Sequence, residues 1–291
     1  MRNANDRLRL LLPAGRIQEK VLGLLRRSGL EFGMTARSYK PVCSDPAIEA
    51  KMLKPQNIPQ LVALGRHHCG FTGLDWVVEQ EADVMELLDL GYDAATIVSA
   101  IPENLSLDEL LGNGVAVVAS EYRRIALDYI RNRGITGGVL VQAYGATEAL
   151  PPDDADMIVD NTSTGTTLAM NRLKVVDEIM RTSTRFICNR QVYERDPEIR
   201  RKLDEIAMIM RSTLDAAEKR ILEMNVPGEN LEEVVGLLPC MRSPTVAPLY
   251  GEEGFAVKIA MPRCDVARLI PLLKAMGARD ILEYNVEKIV I

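Results

Sequence analysis

The strongest constraint on the fold is a recurring grammar. Short apolar runs are stopped by glycine or proline, and apolar residues at helical spacing follow. Leu8-Arg9-Leu10-Leu11-Leu12 is stopped by Pro13 and Gly15, after which Ile17, Val21, Leu24 and Leu25 repeat helically up to Ser28-Gly29. A short helix begins at Ile58, Cys69-Gly70-Phe71-Thr72-Gly73 reads as a strand into a glycine turn, and residues 76–88 read as a helix. Further along, 105–111 reads as helix, 115–119 as a buried strand, and 122–133 as a helix ended by Gly134. Strands follow at 139–144 and 157–159, and the pattern turns helical from Thr166. Strands separated by helices of this size predict an α/β fold with parallel sheets and crossover connections.

Arg185-Phe186-Ile187-Cys188-Asn189 reads as a strand returning to the first block, and residues 197–224 as one long helix. Asn225-Val226-Pro227-Gly228-Glu229 has the composition of a linker. Beyond it a helix at 231–238, strands at 245–249 and 255–260, a helix at 265–276 and a strand at 281–284 match a ferredoxin-like βαββαβ module. The expected division is one α/β domain of residues 1–100 with 185–224, a second of 101–184, and a small third domain of 225–291.

Composition removes several function classes. The 35 basic and 41 acidic residues leave a net charge of −6, a poor match for nucleic acid or an anionic membrane. Aromatics are 4% of the chain, too few for base-stacking platforms. The five cysteines (Cys43, Cys69, Cys188, Cys240, Cys264) are dispersed without a CxxC, which fits a reducing cytoplasm rather than a disulfide framework or a Cys-type zinc site. The two histidines, His67 and His68, are neighbours whose side chains would point apart on a strand, so a shared metal is not expected. No apolar run approaches the roughly 18 residues of a membrane span.

The sharpest constellation is Val159-Asp160-Asn161-Thr162-Ser163-Thr164-Gly165-Thr166-Thr167-Leu168. An apolar strand ends in an acid, and a hydroxyl-rich turn with one glycine opens a helix. Amide groups at such a turn, joined by hydroxyls, cradle an anion, and glycine lets the backbone approach it. An ordinary N-cap needs only one such residue. Asp160 would then hold sugar hydroxyls beside a bound phosphate. The Pro13-Ala14-Gly15-Arg16 turn, Thr72-Gly73-Leu74-Asp75 and Ala119-Ser120-Glu121-Tyr122 are further strand–helix turns where ligands collect in α/β sheets. Arg16 could offer a planar fork to phosphate or stack on a base, and Asp75 could meet a ligand or merely cap the helix. Glu148, a lone acid after a strand, could share a cleft with Asp160, ribose and Mg²⁺.

These residues resemble the long form of ATP phosphoribosyltransferase, the first enzyme of histidine biosynthesis, over nearly the whole chain. Leu12-Pro13-Ala14-Gly15-Arg16 is similar to the family's P-K-G-R turn, and Gly70-Phe71-Thr72-Gly73-Leu74-Asp75 to its G-I-T-G-x-D stretch. Ala119-Ser120-Glu121-Tyr122 resembles its A-T-E segment. Glu148 with Asp156-Met157-Ile158-Val159-Asp160 and Ser163-Thr164-Gly165-Thr166-Thr167-Leu168 is similar to E … D-x-I-V-D-x-x-S-T-G-x-T-L. Arg242-Ser243-Pro244-Thr245-Val246-Ala247-Pro248-Leu249 resembles the regulatory domain of the long form. Departures fall at Ala14, Asn57, Arg66-His67-His68-Cys69, Arg123 and Pro151-Pro152-Asp153-Asp154.

The resemblance implies two periplasmic-binding-protein-like α/β domains forming a cleft, with a ferredoxin-like, ACT-like regulatory domain. It implies transfer of the phosphoribosyl group of phosphoribosyl pyrophosphate to N1 of ATP, with Mg²⁺ mainly on the substrate phosphates. Asp160 and Glu148 would be the catalytic acids. Asp160, Asn161, Thr162, Ser163, Thr164, Gly165, Thr166 and Thr167 would bind phosphoribosyl pyrophosphate, and Gly15, Arg16, Gly73, Asp75 and Ser120 would bind ATP. Histidine, as feedback inhibitor, would meet Asn225, Ser243, Thr245, Met261 and Asp280 in a homo-oligomer, a hexamer in equilibrium with dimers. The competing readings are a nucleobase-salvage phosphoribosyltransferase and a two-lobed ligand-binding module without catalysis. The first usually has two adjacent acids where this chain has Asp160-Asn161.

Overall fold

Leucine at four of its six positions makes β1 (Leu8–Pro13) a strand for the middle of a sheet, buried everywhere but at Arg9. The computed structural model describes residues 7–33, 39–112, 116–239, 241 and 243–290; of the residues named above, Val115, Cys240 and Arg242 lie outside that set. The chain forms two compact units, Met1–Arg26 with Leu30–Ala207, and Arg27–Gly29 with Met208–Ile291.

In the first unit, β1 leads through α1 (Gln18–Arg27) to the short β2 (Phe32–Gly33) and β3 (Val42–Cys43), then β4 (Ile48–Leu53). α2 (Ile58–Ala63), β5 (Cys69–Gly73), α3 (Leu74–Glu79) and β6 (Val84–Asp89) follow. The chain then enters a second sheet with β7 (Ala95–Pro102), α4 (Leu107–Gly112), β8 (Val117–Ser120), α5 (Arg123–Arg133), β9 (Val139–Gln142), β10 (Met157–Thr162), α6 (Thr166–Met170) and β11 (Leu173–Thr182). It returns to the first sheet with β12 (Thr184–Asn189), ahead of α7 (Arg190–Arg195) and α8 (Pro197–Ala217). The first sheet has the order β2-β3-β4-β1-β5-β12-β6 and the second β11-β7-β10-β8-β9. β4, β1 and β5 run parallel, as do β10, β8 and β9, while β12 and β7 run against their neighbours. Each parallel set delivers the ends of its strands to one edge, where α/β sheets place ligands.

The second unit completes βαββαβ with β13 (Lys219–Val226), α9 (Leu231–Leu237), β14 (Thr245–Pro248), β15 (Phe255–Pro262), α10 (Arg263–Ala275) and β16 (Arg279–Asn285). Its order, β14-β15-β13-β16, is antiparallel throughout, the ferredoxin-like arrangement the sequence predicts. Leu222, Met224 and Val226 alternate into a core with Val257, Ile259, Met261, Leu269 and Leu273.

Three expected helices are corrected. Residues 76–88 are α3 and then β6, because Glu81 at φ +46° ends the helix and Val84–Asp89 finds a partner in β12. The helix from Thr166 stops at Met170; Arg172 at φ +55° turns the chain into β11, which pairs along β7. The helix over 197–224 ends at Ala217, and 219–226 is the central strand of the second sheet unit. Leu222, Met224 and Val226 repeat every second residue there, so Asn225 and Val226 end a strand rather than begin a linker. β7, unrecognised in the sequence, already belongs to the second sheet at Ala95.

The core of the first sheet leaves no room at Gly70. A Cβ there would stand 2.7 Å from Ile58 Cγ2 and 2.9 Å from Leu11 Cβ. Overpacking of this kind costs about 1–3 kcal/mol. Gly70→Ala is therefore expected to lower the unfolding midpoint in urea by that free energy, read as a displaced transition with unchanged slope.

Candidate active site

The ends of β1, β4, β5, β8 and β10 and the two crossings between the sheets surround a cavity of about 420 Å³. The turn after β1 contributes Ala14, Gly15, Arg16 and Ile17, and the turn after β4 contributes Lys54, Pro55 and Gln56. β5 and α3 bring Gly73, Asp75 and Trp76; β8 and α5 bring Glu121 and Tyr122; β10 brings Asn161. The crossings supply Asp93 and Ala95 on the outward path and Thr182, Ser183 and Thr184 on the return.

Gly15, Arg16, Gly73, Asp75 and Asn161 are thus assembled as the sequence leads one to expect. Asp160 and Thr162–Thr167 adjoin the cavity through Asn161 rather than lining it. Ser120 is fully buried; its hydroxyl donates to Val159 O at 2.6 Å and accepts from Tyr122 N at 2.9 Å, so it shapes the turn from within. Neither histidine is among the lining residues; His68 is buried against Arg9, and burial with that cation holds its imidazole down at about 4.

The hydroxyl-rich turn is preformed. Gly165 sits at φ +73°, a conformation glycine adopts without strain, and its N–H donates to Thr162 Oγ1 at 3.0 Å. Thr164 and Thr166 hydroxyls share a 2.8 Å hydrogen bond, and Ser163 Oγ donates to Ala94 O at 3.2 Å. Ser163, Thr164, Thr166 and Thr167 are exposed, and no atom lies within 4 Å of a Cβ built on Gly165, so space is open above the turn. The first amide of α6, Thr166 N, faces Thr164 Oγ1 at 3.5 Å.

Asp160, at the mouth of this turn, receives the Asn161 backbone N–H at 2.7 Å and the Asn161 Nδ2 at 3.2 Å. Burial pushes its carboxyl up to about 6; the Asn161 and Thr147 donors pull it back, and Glu121 and Glu148 add negative charge that raises it. Glu148, half-buried in the turn Thr147–Ala149, therefore does stand in the field of Asp160.

Asp75 is 6% exposed and satisfied internally. Its Oδ1 accepts from Thr182 Oγ1 at 2.8 Å and its Oδ2 from Tyr122 OH at 2.8 Å. The Tyr122 ring packs on Trp76 at 4.8 Å. Gly73 is required by this arrangement, since a Cβ on it would collide with Asp75 Oδ1. Arg16 projects into solvent, its Nε 4.0 Å from Asp93, which Lys20 contacts at 3.0 Å.

Sequence reasoning missed Trp76, Asp93, Glu121, Tyr122 and the Thr182-Ser183-Thr184 run as lining residues. The hydroxyl run carried a signal, obscured by the helix expected there. Glu121 and Tyr122 lay in a quoted turn whose first hydroxyl drew the assignment. A lone aspartate after a Gly-Tyr pair gave no signal.

In the second unit, Ser243 and Thr245 line a cavity of about 640 Å³ with Ile221, Lys258 and Ile289. Asn225 Nδ2 donates to Asp280 Oδ2 at 2.9 Å, and neither residue lines that cavity. Met261 is fully buried in the sheet–helix core, so the structure does not gather the five expected effector residues into one place.

Fold and site define a two-lobed α/β protein with a hydroxyl-rich turn beside a cavity at the strand ends. The ATP phosphoribosyltransferase family model matches residues 54–212, and its C-terminal domain model matches 216–288. ATP phosphoribosyltransferase of Chlorobium chlorochromatii is 36% identical over 295 residues, covering 100% of both chains. That of Thermodesulfovibrio yellowstonii is 37% identical over 291 residues, covering 97% of this chain and 98% of its own. A solved ATP phosphoribosyl transferase (HisG:HisZ) complex from Thermotoga maritima superposes with a TM-score of 0.63 at 25% identity, over 70% of this chain and 98% of its own. The chain belongs to the ATP phosphoribosyltransferase family.

The raised Asp160 carboxyl has two measurable consequences. Its folded value of about 6 lies above the ordinary 3.8, so the stability it contributes is present below about 3.8 and lost as pH rises through about 6. Asp160→Asn should raise the unfolding temperature at pH 8 while removing activity. If the ionised form is the one that activity requires, kcat/KM should rise with pH through an apparent value near 6. A flat profile between pH 5 and 7 would contradict this role.

Proposed function

We propose that this chain displaces pyrophosphate from phosphoribosyl pyrophosphate with N1 of ATP, the first step of histidine biosynthesis. The observation that carries the reading is the half-buried Asp160 carboxylate at the entry of the Thr162–Thr167 turn, joined through Asn161 to the cavity. The turn would take the 5′-phosphate on its amides and on the exposed hydroxyls of Ser163, Thr164, Thr166 and Thr167. Asp160 would accept the ribose hydroxyls, which places the anomeric carbon toward the cavity where adenine enters. Gly15, Arg16, Lys54, Gly73 and Trp76 line that space, Arg16 and Lys54 facing the polyphosphates.

Breaking the anomeric bond before the new one is complete leaves positive charge on the sugar. Asp160, Glu121 and Glu148 provide a negative field beside it, a preorganised stabilisation that grows with the charge. The adenine nitrogen is already a nucleophile, so the cleft must orient and exclude water rather than activate.

Mg²⁺ neutralises the departing pyrophosphate when bound. Among the described residues no group of three or more His, Cys, Asp or Glu side chains is placed to hold a metal ion together. Magnesium characteristically takes one or two carboxylates, with substrate phosphates and water completing its shell. Glu121 or Glu148 beside the cleft suits that mode.

In the second unit, Ser243 and Thr245 in their cavity, and the Asn225–Asp280 pair, are the groups we assign to histidine as feedback inhibitor. All four residues of the edge strand β14 are exposed, which leaves an edge that a second copy could pair with in a homo-oligomer; the hexamer rests on the family resemblance alone. Each of the two larger sheets with its helices would be one catalytic domain. No described helix is long and apolar enough to cross a membrane; the reading places the enzyme in the cytoplasm.

Purified protein with ATP, phosphoribosyl pyrophosphate and Mg²⁺ should form phosphoribosyl-ATP and pyrophosphate, and histidine should suppress the rate. Asp160→Ala and Gly165→Val are each expected to lower kcat/KM by about 100-fold or more with unchanged circular dichroism. Turnover with a free nucleobase in place of ATP would favour a salvage enzyme, and ligand binding without turnover would favour a non-catalytic module.

A further inference from the structure

Tyr122 is among the largest fully buried side chains of the protein, and its hydroxyl lies between two charged sites. A phenol has one proton to give. It goes to Asp75 Oδ2 at 2.8 Å, and the oxygen then accepts Asn161 Nδ2 at 3.1 Å. The same Asn161 amide donates to Asp160 Oδ1 at 3.2 Å. On the other side, Asp75 Oδ1 takes the Thr182 hydroxyl, whose oxygen accepts Asp75 N at 3.1 Å. An unbroken chain of hydrogen bonds therefore runs Thr182–Asp75–Tyr122–Asn161–Asp160.

The order of this chain across the fold gives it meaning. Asp75 stands at the end of the first sheet's β5, while Tyr122 and Asn161 stand at the ends of β8 and β10 in the second sheet. Thr182 closes β11, at the return crossing. Asn161 has its amide nitrogen committed at both ends, so its side chain cannot turn without breaking one bond. Asp160 Oδ1 is fixed by that side chain and by the backbone beneath it.

Resting on the phosphoribosyl-transfer reading, we propose that Tyr122 and Asp75 are positioning residues. Through Asn161 the Tyr122 hydroxyl sets the orientation in which Asp160 receives the ribose. Because the acceptor Asp75 belongs to one lobe and Asn161 to the other, the ribose site has its working geometry only while the two lobes meet. Neither Tyr122 nor Asp75 needs to touch the reacting atoms.

The test uses the full-length protein with Tyr122→Phe, Asp75→Asn and the double variant, each assayed for kcat and for KM of both substrates. Tyr122→Phe retains the ring on Trp76, the single tryptophan, so its emission reports whether packing survives. The expected result is a loss of roughly tenfold or more in kcat/KM for phosphoribosyl pyrophosphate, the scale of lost outer-shell partners. For Tyr122→Phe, KM for ATP should stay within about twofold and Trp76 emission should be unchanged, and the double variant should be no worse than the more damaged single one. Wild-type turnover with Tyr122→Phe within about twofold of it in both substrates would overturn the proposal. So would additive losses in the double variant, or equal losses for both substrates with shifted emission, which mark simple packing. A wild-type protein inactive with both substrates would instead sink the transfer reading, and the proposal with it.

Discussion

A carboxylate taken out of water must be given hydrogen-bond donors, because an unmet buried charge costs several kcal/mol. Asp75 is where this molecule meets that demand, and much else follows from it. Its two oxygens are met by Thr182 and Tyr122, and its carboxylate fills the space a Cβ on Gly73 would occupy. Glycine at the end of β5, threonine at the end of β11 and tyrosine after β8 are thereby fixed by one side chain. The two sheets are connected by two crossings of the chain, and Asp75 is the polar group that closes the junction between them. The α5 N-terminus makes the companion contact, its Arg124 and Ile125 amides donating to Glu79 of α3 at 2.9–3.1 Å. An acid at a helix N-terminus is favourable, so α3 and α5 are held by complementary ends.

The cleft is acidic in a protein of net charge −6, although both proposed substrates are polyanions. The apparent conflict resolves when the charges are separated by role. The phosphate turn offers amides and hydroxyls without any lysine or arginine, so anion binding there does not depend on long-range attraction. On the proposed reading, the acids Asp160, Glu121 and Glu148 would instead face the sugar as it becomes positively charged. Burial of Asp160 is unfavourable to the ionised form, and a group raised in this way is common where function rather than stability selects the environment.

The parallel strands, the hydroxyl-rich turn and the ferredoxin-like order were legible because each carries a local signature. Buried strands such as β1 read as apolar runs, and the turn's chemistry is contiguous from Asp160 to Thr167. What could not be read was set by long-range pairing. β6 and β11 pass for helix until β12 and β7 supply their partners, and the positive φ at Glu81 and Arg172 that ends each preceding helix belongs to residues with no special turn propensity. The hydrogen-bond chain through Tyr122 joins positions 75, 122, 161 and 182, and nothing in the local sequence at any of them announces the others. Ser120 shows the reverse error: a motif residue whose hydroxyl is committed to the turn.

The cationic side of the cleft follows a different logic from the acidic side. Asp93 holds a positive φ of 50° and draws Lys20 to 3.0 Å, while the Arg16 guanidinium stays at 4.0 Å, beyond a hydrogen bond. The Arg16 side chain is largely exposed, so its long contact to the mostly buried Asp93 contributes little. On the proposed reading, Arg16 would therefore give up little in turning from Asp93 to a phosphate, and a planar fork would gain two hydrogen bonds by doing so. Lys20 would keep Asp93 Oδ1 partnered as Arg16 leaves, while Asp93 Oδ2 is buried without a hydrogen-bond partner. Weak holding of the cation and strong holding of Asp75 are two answers to one requirement: the groups that must move are lightly paired, and those that must define the site are fully satisfied.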